Sequence, residues 1–275
     1  MLTWLLLFVA GSVGVASVAL ALWRRPYPDL SGLAPGRWWY RGISAQRALT
    51  EALGAPAAAL TVLLTGAAAT IVVMWPLGHV AKLAEKQIDV PLFQFAQARP
   101  GHPAWTTTNQ VLTLMGNRTE VKIVCVVAAV LLTYAWRRRG WWVPITVITV
   151  AFGTEKYLQK ILAKVVDRGH PPTTLGTYPS GGCARLIAIY GTILFLALLT
   201  STRPRRSVSF GLWLLLSAAA FIEGFTRIYL LKHWFTDVVG GWIFGSLLLV
   251  VLVSATTVLT ERIEVGPSQA NARSA

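Results

Sequence analysis

Residues 235–256 read FTDVVGGWIFGSLLLVVLVSAT, an apolar run whose one charged residue, Asp237, stands near its start. At a rise of about 1.5 Å per residue, a helix of about 20 apolar residues crosses the roughly 30 Å hydrocarbon core of a bilayer. The run therefore predicts a membrane-spanning helix, and segments of this kind decide the fold.

The same pattern recurs along the chain, so the predicted fold class is all-α, a polytopic membrane bundle of seven helices. The composition agrees, because 55% of the 275 residues are hydrophobic and 13% are charged, against about 25% charged in soluble domains. A water-soluble globular domain is thereby excluded. In the longest connection, Pro91–Ala98 and Ala104–Met115 predict short amphipathic helices at the membrane interface. The six other candidate spans are Leu2–Trp23, Ala57–Trp75, Val121–Trp136, Trp142–Leu162, Leu186–Thr200 and Phe210–Phe225.

Basic residues indicate which helix ends face the cytoplasm. The net charge is +14, and about half of the 25 basic residues fall in one set of alternate loops and in the tail. Cytoplasmic loops carry an excess of Lys and Arg, so we expect the N-terminus outside and the C-terminus inside. Nucleic acid is not an expected partner, because the charge sits in short clusters between apolar runs. The residues of this set are Arg24, Arg25, Arg37, Arg41, Arg47, Arg137, Arg138, Arg139, Arg203, Arg205, Arg206, Arg262 and Arg273.

Three parts are predicted along the chain. Residues 1–50 form a transmembrane anchor helix and a cytoplasmic loop, residues 51–260 a six-helix core, and residues 261–275 a cytoplasmic disordered tail. A secretory signal is the alternative for the first run, because Ala19-Leu20-Ala21 resembles a cleavage site. No basic residue precedes the run and Arg24-Arg25 follows it directly, which favours an uncleaved anchor.

Ionisable residues collect at the outer ends of helices four to seven, where a membrane makes them costly and therefore functional candidates. Lys156, Lys160 and Lys164 recur every four residues and form one stripe on the fourth helix. Lysines that snorkel to lipid headgroups are the simpler explanation of this stripe. The segment Asp167-Arg168-Gly169-His170-Pro171-Pro172 follows it.

The segment Pro179-Ser180-Gly181-Gly182 leads into the fifth helix. Backbone N–H groups at a glycine-rich helix start can cradle an anion, although such a turn is more often an ordinary N-cap. The segment therefore indicates an anion-binding site only in combination with other anion-binding groups.

Thr226–Asp237 is the most specific segment. His233 and Asp237 are four residues apart, so on a helix they share a face. The carboxylate can then fix the imidazole tautomer and leave the other ring nitrogen free as a nucleophile or base. Arg227 and Lys232 precede this pair, and three basic or anion-cradling segments on one side of a membrane bundle predict a phosphate ligand.

In order and spacing the three segments resemble the motifs of the type 2 phosphatidic acid phosphatase (PAP2) superfamily, to which vanadium haloperoxidases also belong. Those motifs are Lys-x6-Arg-Pro, Pro-Ser-Gly-His and Ser-Arg-x5-His-x3-Asp. The resemblance runs over residues 57–256, and in the third motif only Thr226 departs, standing for Ser. It implies that His233 attacks phosphorus to form a phosphohistidine, that Asp237 orients it, and that Arg227 binds phosphate oxygens.

The other two motifs are degenerate. In the second, Ser180 and the Gly181 amide carry over as phosphate donors, whereas Gly182 replaces the His that is the family's general acid. In the first, aligned on its proline, His170 stands at the Arg position and Ala163 at the Lys position. Lys160 lies one turn from Ala163, and Arg168 stands where many members carry an extra Arg. Phosphate is therefore expected among Arg227, Ser180, Gly181, Arg168, Lys160 and Lys164.

The missing acid bears on the substrate. An alkoxide leaving group needs a proton that a positioned acid supplies, whereas phosphate, with a second pKa of about 6, leaves a diphosphate more readily. His170 and His102 are candidates for a substitute acid.

The leading hypothesis is an integral membrane lipid phosphatase or phosphotransferase that acts on a lipid (di)phosphate, such as a prenyl diphosphate, without a metal or other cofactor. The alternative is a non-catalytic PAP2-like protein that binds or transports lipid phosphates. A vanadium haloperoxidase is disfavoured. The resemblance implies that this branch of the family binds vanadate through the full Lys/Arg/His set, which this chain lacks.

Overall fold

The structure, a computed structural model, describes Thr3 and residues 37–99, 101–173, 176–200 and 206–264. These residues form helices and connecting turns without a strand, as the predicted all-α class requires. The helices are α1 Arg37–Leu53, α2 Ala55–Ala84, α3 Val90–Gln97, α4 Pro103–Leu112, α5 Arg118–Ala135, α6 Trp142–Val166, α7 Gly181–Arg185, α8 Gly191–Thr200, α9 Arg206–Tyr229 and α10 Phe235–Glu264.

Six of the seven predicted spans fall on helices of the structure. Among the described residues, four continuous segments are long and apolar enough to cross a membrane: Ala55–Gln97, Gly181–Thr200, Ser207–Tyr229 and Phe235–Thr260. Helices α5 and α6 form as predicted but carry charged residues, among them Glu120 and Glu155. The predicted anchor Leu2–Trp23 and the predicted disordered tail Gly266–Ala275 lie outside the described residues.

One of the two predicted interfacial helices is not a separate helix. The segment predicted as Pro91–Ala98 is α3, and it continues α2 through a wide helical turn, Glu85–Asp89, so that one rod spans Ala55–Gln97. Proline is tolerated in the first turn of α3 because the wider turn before it does not need that N–H. The second predicted helix is α4, which ends in a 3₁₀ turn, Thr113–Gly116.

Successive long helices run in opposite directions, so the connections alternate between two ends of the bundle. The end of α6, the starts of α7 and α10, and the end of α9 meet at one end. At the opposite end, the Arg139 side chain donates to the backbone oxygen of Leu199, which places the basic loop after α5 beside the end of α8. The largest basic cluster and the predicted site therefore lie at opposite ends.

Close packing of α10 against α2 forms the centre of the bundle. The core there includes Met74, Leu162, Phe244 and Leu248, all of them fully buried. A Cβ on Gly66 of α2 would lie 2.6 Å from the Val251 side chain of α10, so glycine lets the two backbones approach. This contact holds the middle of α10 against α2.

Candidate active site

A tight turn between α9 and α10 brings Arg227 and His233 together. The backbone N–H groups of Lys232 and His233 both point to the carbonyl oxygen of Arg227, at 2.9 and 3.4 Å. Leu231 has a φ of 56°, the left-handed conformation that a side chain rarely adopts. The turn thus reverses the chain within six residues and returns His233 to the end of α9.

His233 and Asp237 face each other as their spacing predicts. His233 Nδ1 lies 3.6 Å from Asp237 Oδ2, and the imidazole is 11% exposed while the carboxylate is fully buried. Because Nδ1 faces the carboxylate, Nε2 is the nitrogen available to a substrate. Gly176 packs against the ring, since a Cβ there would lie 2.9 Å from Nδ1.

Asp237 is held from its other side by Arg168. Arg168 Nη1 donates to Asp237 Oδ1 at 3.0 Å, Nη2 donates to Asp89, and Nε donates to Glu85 at 3.4 Å. The Arg168 side chain is fully buried. All three guanidinium nitrogens therefore pair with carboxylates, so in this structure Arg168 positions Asp237.

Asp89 fixes the start of α10. Its two carboxylate oxygens accept from the backbone N–H of Thr236 at 2.9 Å and from the Thr236 hydroxyl at 2.7 Å. A carboxylate at a helix N-terminus satisfies free N–H groups and suits the helix dipole. Sequence reasoning missed Asp89, because no local pattern links it to a residue 147 positions away.

The loop before α7 is hydrogen-bonded to the backbone of Asp237. The Ser180 backbone N–H donates to the Asp237 carbonyl oxygen at 2.9 Å. Glycines make this contact possible, because a Cβ on Gly240 would meet the Tyr178 ring and one on Gly241 would lie 2.5 Å from the Ser180 carbonyl oxygen. Since α7 begins at Gly181, its first backbone N–H groups have no acceptor within the helix. The Ser180 hydroxyl is buried near the Cys183 thiol and bonds to no oxygen or nitrogen of the described residues.

Arg227 is buried and paired with an acidic residue. Its Nε donates to Glu223 Oε1 at 2.6 Å, and Nη2 donates to Asn117 Oδ1 at 3.0 Å and to the Thr113 carbonyl oxygen at 3.3 Å. Nη1 donates to none of the described residues and is the nitrogen that can receive a phosphate oxygen. Glu223 lies four residues before Arg227 on α9, a spacing at which two side chains share one face of a helix.

The remaining predicted residues form no hydrogen bond with this group in the described part of the chain. Lys160 and Lys164 are exposed on α6 and form no hydrogen bond or ion pair within the described part of the chain. His170 is exposed, with Nδ1 2.9 Å from the Pro171 carbonyl oxygen. His102 is exposed and caps α4 by accepting from the Ala104 N–H at 3.3 Å. No hydrogen bond among the described residues links either histidine to His233 or Arg227.

Burial sets the protonation states near the loop. Burial lowers the pKa of His233 from its ordinary value, and the charges of Arg227 and Arg185 act in the same direction, while Asp237 opposes them. Burial, with the negative charge of Asp237, raises the pKa of Tyr178 to about 12. At neutral pH the His233 imidazole is therefore a neutral base with a lone pair on Nε2. Metal-binding groups of three or more His, Cys, Asp or Glu side chains are absent from the described residues.

We expect His233 to titrate below pH 6.5, its ordinary value. The unfolded chain then binds more protons than the folded one between the lowered pKa and 6.5, so the stability contributed by this group decreases as the pH falls through that window. The measurement is a pH titration of ¹⁵N-labelled histidine by NMR, with the His233 signal assigned by its loss in His233→Ala. A midpoint at or above pH 6.5 would contradict the account of burial.

Comparisons with known proteins agree with this arrangement. Residues 162–261 match the sequence model of the PAP2 superfamily, whereas a comparison with curated proteins gives no match. The fold is similar to the crystal structure of a transmembrane PAP2-type phosphatidylglycerolphosphate phosphatase from Bacillus subtilis, with a TM-score of 0.55 and 21% identity. The similarity covers 72% of this chain and 93% of that one. The segment that holds Arg227, His233 and Asp237 thus resembles the PAP2 superfamily in sequence, and the fold of the chain resembles that of a transmembrane PAP2-type enzyme.

Proposed function

We propose that this chain is an integral membrane lipid phosphatase or phosphotransferase that acts through a phosphohistidine at His233. The observation that carries the proposal is the buried series Arg168, Asp237, His233, in which Arg168 donates to Asp237 at 3.0 Å and the same carboxylate faces His233 Nδ1 at 3.6 Å. The phosphatase activity named for the Bacillus subtilis structure supports the same class of reaction.

Each group has a defined part in the proposed reaction. Arg227 Nη1 binds a phosphate oxygen, and the free N–H groups at the start of α7 bind others. His233 Nε2 attacks phosphorus in line while Asp237 accepts from Nδ1 and stabilises the imidazolium character that develops. Water, or another acceptor, then attacks the phosphohistidine. The acceptor distinguishes hydrolysis from transfer.

We propose a lipid diphosphate, such as a prenyl diphosphate, as the preferred substrate. Gly182 provides no acid, and the two candidate substitutes, His170 and His102, are exposed and bonded to backbone groups elsewhere. A phosphate leaving group needs a proton less than an alkoxide does. The lipid tail would stay in the bilayer while its headgroup enters from the side.

The test is phosphate release by the purified protein in detergent from a lipid monophosphate and a lipid diphosphate that carry the same prenyl chain. We expect the diphosphate to react faster by about 10²- to 10⁴-fold, the contribution of a positioned acid. Equal rates for the two lipids would contradict the leaving-group argument. Release from neither would favour the alternative below.

The alternative is a non-catalytic protein that binds or transports lipid phosphates. The pairing of Arg227 with Glu223 favours it, because an anion must share this guanidinium with a carboxylate. Lipid phosphate affinity without phosphate release, in the unaltered protein, would establish this alternative.

We further propose that the site faces outside and that the C-terminus is cytoplasmic. The basic loop at Arg137–Arg139 lies at the end of the bundle opposite the site, which suits the positive-inside rule. A topology reporter fused after Ala275 is expected to respond from the cytoplasm. A response from outside would reverse the orientation.

A further inference from the structure

A niche between two glycines holds the carboxylate of Glu223. A Cβ on Gly182 would lie 2.6 Å from Glu223 Oε1, and a Cβ on Gly116 would also meet this oxygen. The Glu223 side chain is fully buried there. The niche therefore exists only because both positions lack a side chain.

The two oxygens of this carboxylate differ in their partners. Oε1 accepts from Arg227 Nε at 2.6 Å. Oε2 is buried and has no hydrogen-bond partner among the described residues. A buried carboxylate oxygen without a donor costs free energy. Such an oxygen marks a place where a proton or a donor arrives during function.

We propose that Glu223 is the catalytic proton-transfer group of this site and fills the space that a side chain at position 182 would need. This inference rests on the proposed function. Arg227 connects Glu223 to the phosphate, because the guanidinium that donates to the phosphate through Nη1 also holds Glu223 through Nε. In the proposal, the water that attacks the phosphohistidine lies between that phosphate and Oε2.

The proposed cycle returns Glu223 to its starting state. In the first step, His233 Nε2 forms a bond to phosphorus, the bond from phosphorus to the leaving oxygen breaks, and lipid monophosphate leaves as an anion while Glu223 stays a carboxylate. In the second step, a water oxygen bonds to phosphorus, the Nε2 to phosphorus bond breaks, and Oε2 takes the water proton. Oε2 then passes this proton to the departing phosphate, so that Glu223 ends as a carboxylate, as it began.

The substitution Glu223→Gln tests the second step, because glutamine keeps the size of the side chain and an oxygen for Arg227 but cannot accept the water proton. With a lipid diphosphate, we expect one rapid equivalent of lipid monophosphate per protein, the leaving group of the first step, and then turnover reduced by about 10²- to 10⁴-fold. The phosphohistidine should accumulate. Turnover at the unaltered rate, or an equal reduction of the rapid phase and of turnover, would overturn the assignment.

The matched control is Glu155→Gln. Glu155 is also fully buried, pairs with Arg185 at 3.3 Å and has an oxygen without a partner. Its replacement should leave the ratio between the rapid phase and turnover unchanged. If Glu155→Gln also showed a rapid phase followed by slow turnover, the specific role of Glu223 would be overturned.

A double substitution provides the converse test. Gly182→His alone should impair the protein, because its Cβ would lie 2.6 to 2.8 Å from side-chain atoms of Glu223 and Arg227. Gly182→His with Glu223→Ala removes the carboxylate, and turnover should exceed that of Glu223→Ala alone. No gain over Glu223→Ala would contradict the shared space. Absence of release from the unaltered protein overturns the proposed function together with this assignment, whereas unaltered turnover in Glu223→Gln overturns the assignment alone.

Discussion

Replacing His233 by alanine is expected to reduce phosphate release by about 10⁴-fold or more, the size of effect seen when a nucleophile is removed from a covalent mechanism. The loss follows because no other histidine in the described part of the chain faces Asp237 as His233 does. The measurement is phosphate release from a lipid diphosphate by the purified variant, with binding of the same lipid measured in parallel.

His79→Ala is the matched control for this substitution. His79 lies on α2 with its ring 5.0 Å from the Trp75 ring, remote from the α9–α10 turn in sequence and in its contacts. The control loses the same imidazole and should keep its rate within a few-fold. Equal rates in the unaltered protein and His233→Ala would exclude a phosphohistidine at this residue.

Replacing Arg168 by methionine is expected to destabilise the folded protein by about 3–5 kcal/mol, because buried carboxylates then lose their paired cation. The affected groups are Asp89 and Asp237, both fully buried, and Glu85. Activity should decrease as well, since Asp237 would no longer be held against His233. Thermal unfolding of the purified variant in detergent measures the first effect.

Two further variants separate charge from geometry. Arg168→Lys keeps the positive charge but loses the planar fork that reaches three carboxylates, so we expect an intermediate loss of stability. Arg138→Met removes an arginine from the exposed loop at the other end of the bundle and should change stability by less than about 0.5 kcal/mol. Stability of Arg168→Met equal to that of the unaltered protein would contradict the buried network.

The fold was predictable to the extent that apolar runs and helical periodicity are local. Phe235–Thr256 and five other runs became helices because their composition leaves few alternatives at that length. The continuation of α2 into α3 was not predictable in this way. It depends on a wide turn at Glu85–Asp89 and on contacts with the start of α10 that only the tertiary structure provides.

For the site as well, local spacing was predictable and contacts between distant segments were not. The spacing of His233 and Asp237 predicted a shared face, and the structure places the two side chains 3.6 Å apart. Arg168 was predicted as a phosphate ligand, but the structure pairs it with Asp237, because its acidic partners Asp89 and Glu85 come from a distant helix. Sequence spacing cannot reveal a partner of that kind.

Glycine at position 182 has a different meaning in the structure from the one it has in the motif. As a motif residue it is a missing acid, whereas in the structure it leaves room for Glu223 and Arg227. The sequence contains the Glu223 and Arg227 spacing, but the space between Gly116 and Gly182 requires three separate segments to meet. Functional roles therefore follow from the spatial arrangement, even where a motif position has changed.

The most direct test of the central claim is to identify the phosphorylated residue. The protein is mixed with a lipid diphosphate whose terminal phosphate is labelled, quenched at alkaline pH, digested and analysed by mass spectrometry. We predict a phosphoryl group on His233, absent from His233→Ala and increased in Glu223→Gln. Rapid phosphate release with no label on His233, or with the label on another residue, would contradict the account.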